Sequence, residues 1–197
     1  MTLLVDPAAE RTFARIIGRL RSVRLEAGAT QNGLAAAGLP VRGRAISEWE
    51  TGAIEPTLEH LILWARALGH HFVIIGWDGR LRNGPLRPRP GESWETFERR
   101  RLAVPLRNRR QAMGMNQDEL GRLVGVSRDS IQRWELVRVP PRPISHVVWA
   151  QALNCTFALQ PINFPDRGRS QLGTQMGWGQ SRDTRLRAGT VSTFKFR

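Results

Sequence analysis

Two stretches of this chain spell the same pattern 85 residues apart. In the first, Ile46, Trp49 and Glu50 precede Trp64, Ala65, Ala67, Leu68 and Phe72; in the second, Ile131, Trp134 and Glu135 precede Trp149, Ala150, Ala152, Leu153 and Phe157. Upstream, Leu20, Gly28 and Gln31 match Leu106, Gly114 and Gln117 at a separation of 86, so one copy carries an extra residue between the anchors. A repeat this long, with Trp, Gly and Glu among its matches, means two copies of one small unit rather than one large core.

Each copy of about 65 residues can bury a core but is marginally stable alone. No run of 18 apolar residues exists, and Met1–Val5 is too short for a signal peptide. The expected location is therefore cytoplasmic, with no membrane partner. The lone Cys155 allows no intrachain disulfide and lacks companions for a structural zinc.

The net charge of +13 invites a polyanion partner, but 29 of the 30 basic residues are Arg, a bias that fits a GC-rich genome. Position is more telling. Residues 1–78 carry 8 Arg against 8 acids, whereas 95–160 carry 11 against 6. The electrostatic case for binding a polyanion rests on the second copy and its flanks.

Asp6-Pro7 reads as a cap and first helical residue, followed by Phe13, Ile16, Ile17 and Leu20 at helical spacing, with Gly28 as the stop. Further helices are expected over Gln31–Ala37, from about Arg42 to Glu50, and after Thr57. The β-branched run Phe72–Ile75 reads as a strand. The expected boundaries are a first domain at 1–76, a Gly/Pro/Arg-rich linker at 77–92, a second domain at 93–160 and a basic, disordered tail at 161–197. Pro105 predicts a kink or break near Val104 in the first helix of the second copy. Gln117–Val124, Ser127–Glu135 and Ile144–Leu153 follow as helices, then Phe157–Leu159 as a weaker strand.

Within Asn116–Glu135, Leu120, Leu123, Val124, Val126, Ile131 and Trp134 form an apolar seam joining two helices. Gly125 sits where a tight turn requires positive φ, and Ser127 caps the next helix. Arg128, Asp129, Gln132 and Arg133 are left on the outer face of a short helix, as a major-groove probe requires. This segment resembles the helix-turn-helix of the XRE, or lambda-repressor-like, family. The resemblance implies a mainly α fold: two tandem helix-turn-helix bundles, each followed by a short strand, with the disordered tail behind them.

The resemblance further implies that Gln117 contacts phosphate or base and that Arg128, Asp129 and Arg133 face base edges. It places Arg138 and Arg142 at backbone contacts and pairs Glu135 with Arg110, and Glu50 with Arg24, as structural ties between helices. Ser127, Ser130 and Gln132 complete the expected DNA-binding set in the second copy. In the first copy the corresponding readers are Gln31, Arg42 and Arg44. That copy is diluted, because Gly43 has no side chain and Glu48 repels phosphate; it either reads a degenerate half-site or serves as a pairing module. The two strands are expected either to pair within the chain, making a pseudo-dimer, or each to cover its own bundle.

No nucleophile–base constellation, metal-ligand spacing or phosphate-cradling glycine motif stands out, so no enzyme, cofactor or metal is expected. The expected function is a DNA-binding transcriptional regulator, a repressor by default, with double-stranded DNA as partner. The alternative is an antitoxin-like or adaptor module that grips a toxin, a polymerase component or itself through the first copy and the strands.

Overall fold

Caps written into the sequence set the helix starts in the computed structural model, which describes residues 2–36 and 39–162. Helix α1 (Pro7–Glu26) begins where the Asp6 carboxylate accepts from the Ala9 amide at 2.7 Å. Helix α2 (Gln31–Ala36) starts behind Thr30, whose hydroxyl accepts from Gly33. Helices α3 (Gly43–Glu50) and α4 (Leu58–Ala67) follow, the latter capped by Thr57, and strand β1 (His70–Gly76) closes the first copy. The second copy repeats the order with α5 (Trp94–Ala112), α6 (Gln117–Val124), α7 (Arg128–Glu135), α8 (Pro143–Ala152) and β2 (Cys155–Pro161). The molecule is mainly helical, as expected. Ala37, Gly38 and the expected disordered tail from Asn163 onward lie outside the described residues.

The strands pair with each other, antiparallel, within the one chain, and both run longer than their apolar cores suggested. Val73 pairs with Ala158, its own counterpart in the repeat, so the register is two-fold symmetric about that pair. Phe72 opposite Leu159 is mirrored by Phe157 opposite Ile74, and the two counterpart rings stack at 4.4 Å. The ribbon is closed by counterpart hydrogen bonds, Trp77 to the Asn154 carbonyl and Ile162 to the Gly69 carbonyl. A two-stranded ribbon alone is marginal in water; here helices supply its buried face.

The helices trade partners across the pseudo-two-fold. Besides its contact with α3, α1 packs on α8, while α5 packs on α4 as well as on α7. Gln151 donates to Thr12, Arg99 pairs with Glu59 at 3.5 Å, and Arg66 lies 4.0 Å over the Trp94 ring. The apolar side chains of both copies merge in one buried cluster, which includes Trp64, Trp149, Phe72 and Phe157. Sharing a core in this way relieves the marginal stability of each small copy.

Two sequence expectations are corrected. Helix α5 runs unbroken through Pro105. Proline removes the donor for the carbonyl four residues earlier, that of Arg101, and Asn83 donates to that carbonyl at 2.7 Å instead. Leu123, expected in the apolar seam, is 56% exposed, because α6 presents Leu120 and Val124 to the core and turns Leu123 away. Within the segment expected as a linker, residues 80–83 lie along the outer edge of β1. There Arg82 donates to the Ile74 carbonyl and the Asn83 side chain accepts from the Ile74 amide. No helix among the described residues is long and apolar enough to cross a membrane.

Candidate nucleic-acid interface

Helix α6 opens with a reciprocal capping box. Asn116 accepts from the Asp118 and Glu119 amides, and Glu119 reaches back to the Asn116 amide at 2.7 Å. The helix ends at Gly125 in the left-handed region, φ 79°. A second constraint acts there: a Cβ at Gly125 would lie 2.4 Å from the Thr2 carbonyl, because the N-terminal arm crosses the turn and Leu4 donates to Val124. One turn earlier, a Cβ on Gly121 would meet the Val126 carbonyl at 2.8 Å, so glycine lets α6 sit directly on the start of α7. Ser127 then caps α7, accepting from the Ser130 amide, and the two hydroxyls lie 2.9 Å apart.

The far end of α7 is fixed by a buried ion pair. Arg110 on α5 meets both Glu135 oxygens, at 2.6 and 3.0 Å, and also donates to the Met115 carbonyl. The first copy repeats the arrangement: Arg24 binds Glu50 at 2.6 and 2.8 Å and donates to the Ala29 carbonyl. Burial pushes the Glu50 carboxyl up, but hydrogen bonds from Arg24 and Gln31, with the nearby guanidinium charges, outweigh it and hold the group below the usual carboxylate range. Both expected Arg–Glu ties are present, and both orient the third helix of a copy against its first.

A family model for helix-turn-helix domains matches the chain twice, over residues 20–73 and 106–159, more than half its length. The chain belongs to the XRE-like helix-turn-helix family. Its domains are DNA-binding and regulatory. No curated protein and no solved structure matches the chain.

Helix α7 is the second helix of the helix-turn-helix in the second copy. Arg128, Asp129 and Arg133 are exposed and Gln132 is half-buried on one face of a helix held at both ends. Arg133 and Asp129 pair with each other at 2.5 Å, both more than half exposed. Such a solvated pair is worth well under ~1 kcal/mol, so either side chain is free to exchange partners. Arg138 is exposed beyond the helix end, where its amide donates to the Arg133 carbonyl. Gln117 sits half-buried at the start of α6 and donates to Glu135 at 2.8 Å, which leaves its amide oxygen and one N–H for a further partner.

Arg142, its side chain 72% exposed, pairs across the two copies. Its guanidinium is bound by Glu55 of the first copy, whose other oxygen accepts from the Ile144 amide at 3.0 Å. Glu55 thereby does the capping at the start of α8 that the Arg142 side chain does not. No local pattern in the sequence places Glu55 beside a segment 87 positions away.

In the first copy α3 stands at the pseudo-symmetric place, with a reduced face. Gly43, counterpart of Arg128, is buried: a Cβ there would lie 2.0 Å from the Asn32 side-chain oxygen. Arg44 is exposed and pairs with Glu48 at 2.8 Å. Arg42 is exposed at the start of α3 without capping it, and Gln31 donates to Glu50.

Proposed function

We propose that this protein is a sequence-specific, double-stranded DNA-binding transcriptional regulator, a repressor that occupies promoter DNA, with two unequal recognition helices in one chain. The observation that carries the reading is the Val73–Ala158 pairing of repeat counterparts, which relates α3 and α7 by a pseudo-two-fold, as a dimer relates its two readers. Helix α7 reads the strong half-site. Arg128 and Arg133 take guanine edges and Asp129 accepts from cytosine, each contact worth about 1–3 kcal/mol of discrimination. Gln132 supports these base contacts, Ser127 and Ser130 meet phosphate at the start of the helix, and Gln117 and Arg138 hold the backbone. Helix α3, through Gln31, Arg42 and Arg44, reads a degenerate half-site.

Selection of bound fragments from a random duplex pool tests this. The intact chain should enrich a bipartite site with one well-defined and one loose half. Arg128→Ala with Arg133→Ala should erase the defined half, and Arg42→Ala with Arg44→Ala should lower affinity with little change in sequence preference. Equal enrichment of the same site by the intact chain and the Arg128/Arg133 variant would overturn the assignment of α7.

The covering of Gly43 by Asn32 favours a second reading for the first copy alone: an antitoxin-like or adaptor module in which α3 meets a partner protein rather than DNA. Loss of the loose half-site from the selected sequences, with the defined half intact, would support it.

A further inference from the structure

A cleft opens at the C-terminal end of α3, between α1, the α3–α4 turn and the start of α8. It has a volume of about 630 Å³, with Phe13, Ile17, Trp49, Ile54 and Ile144 among its apolar walls. That volume falls within the roughly 300–1,000 Å³ range of small-molecule sites, and mostly apolar walls with few polar groups are their usual make-up.

The internal repeat shows how the cleft arises. Ala14, Gly18 and Gly52 line it, and their counterparts in the second copy are Arg100, Val104 and Val137. At each of these places the first copy carries the smaller side chain. A Cβ built on Gly18 meets nothing within 4 Å, so the missing atoms leave open space. The N-terminal arm, through Thr2 and Leu3, closes part of the rim.

Charge chooses the ligand. Of the ionic groups on the walls, Glu50 is taken by Arg24 and Gln31, and Glu55 is taken by Arg142. Arg21 has only a 4.0 Å approach to the already occupied Glu50, and its side chain is 58% exposed. Beside the Trp49 wall, then, stands a guanidinium with donors to spare, suited to a carboxylate. Glu10 lies eleven residues away on the same helix, about 16 Å along its axis, too far to neutralise Arg21.

We infer that this cleft is a binding site for a small aromatic carboxylate, its ring against Trp49, Phe13 and Ile144 and its carboxylate on Arg21. The site is defined without reference to DNA, and its test is independent of the regulator reading.

The test is calorimetric titration of the full chain with cinnamate, with cinnamyl alcohol as the neutral comparator. Cinnamate should bind saturably at one site per chain, roughly ten-fold more tightly than the alcohol, the difference that one charge-assisted hydrogen-bonded contact supplies. Arg21→Gln should bring the two ligands to parity. Gly18→Leu, which fills the cleft, should abolish binding of both while the far-ultraviolet circular dichroism stays that of the folded chain. Ile54→Glu, at an exposed place on the wall, gives a readout that does not depend on how α1 tolerates leucine, and should weaken cinnamate more than the alcohol. Absence of saturable cinnamate binding, binding that survives both Gly18→Leu and Ile54→Glu, or an anion preference unchanged in Arg21→Gln would each overturn the site.

Discussion

The Asn83 side-chain amide donates to the Arg101 carbonyl at 2.7 Å, the very carbonyl that Pro105 deprives of its helical donor. The same side chain accepts from the Ile74 amide at 2.6 Å, tying α5 to the outer edge of β1. Two backbone groups in different elements thus share one residue from a segment whose composition reads as linker. Leaving either unpaired costs about 1–3 kcal/mol, so Asn83→Ala should lower stability by about 2–4 kcal/mol in urea melts. With Pro105→Ala in the background the penalty should shrink, because residue 105 then donates to Arg101 itself. Strict additivity of the two substitutions would refute this account.

His146 sets an acid limit on the fold. Its ring is 1% exposed, packs on Trp149 at 5.3 Å and Phe157 at 5.1 Å, and among the described residues neither nitrogen has a hydrogen-bond partner. Burial pushes its pKa down to about 3. The unfolded chain takes up the proton near pH 6.5 and the folded chain does not, so acid favours unfolding below that point. Stability should fall by about 2 kcal/mol between pH 6.5 and 5 on this account. The first-copy counterpart is Leu61, fully buried. His146→Leu should flatten the pH profile in that window, and thermal melts at pH 5 and 7 decide the matter.

Glu55 binds the Arg142 guanidinium across the two copies. Glu55→Gln should release that guanidinium, raising affinity for duplex DNA and steepening the log affinity against log salt slope by about one. Arg142→Ala in the intact clasp should weaken binding far less than Arg128→Ala. Fluorescence anisotropy across a salt series measures both, and equal losses from the two arginines would count against the clasp.

Two helical glycines should respond with opposite signs. Gly18 faces open space, so Gly18→Ala should stabilise by about 0.5–1 kcal/mol through helix propensity. Gly121 faces the Val126 carbonyl, a backbone atom that cannot swing aside, and Gly121→Ala should destabilise by about 1–3 kcal/mol through overpacking at the helix-turn-helix joint. Denaturant midpoints of the two variants give the comparison directly.

Much of this molecule was legible in its residues. The duplication, the caps at Asp6, Thr57 and Ser127 and the left-handed turn at Gly125 are local or repeat-encoded, and each involves residue types with few physical alternatives; the Arg110–Glu135 tie came from the family resemblance. The outward set on α7 followed from helical periodicity alone. Long-range satisfaction of backbone groups was not legible. Pro105 read as a break because its rescuer, Asn83, stands 18 positions before the carbonyl it serves, in a stretch without periodicity. Leu123 read as core because the pattern of α6 allows more apolar positions than one face can bury. Whether β1 and β2 pair with each other was equally open, since two apolar strands specify a partner only through what else is near. The pairing of Val73 with Ala158, the capture of Arg142 by Glu55 and the cleft beside Gly18 belong to the tertiary structure, because each depends on two distant segments meeting and no local propensity encodes a meeting.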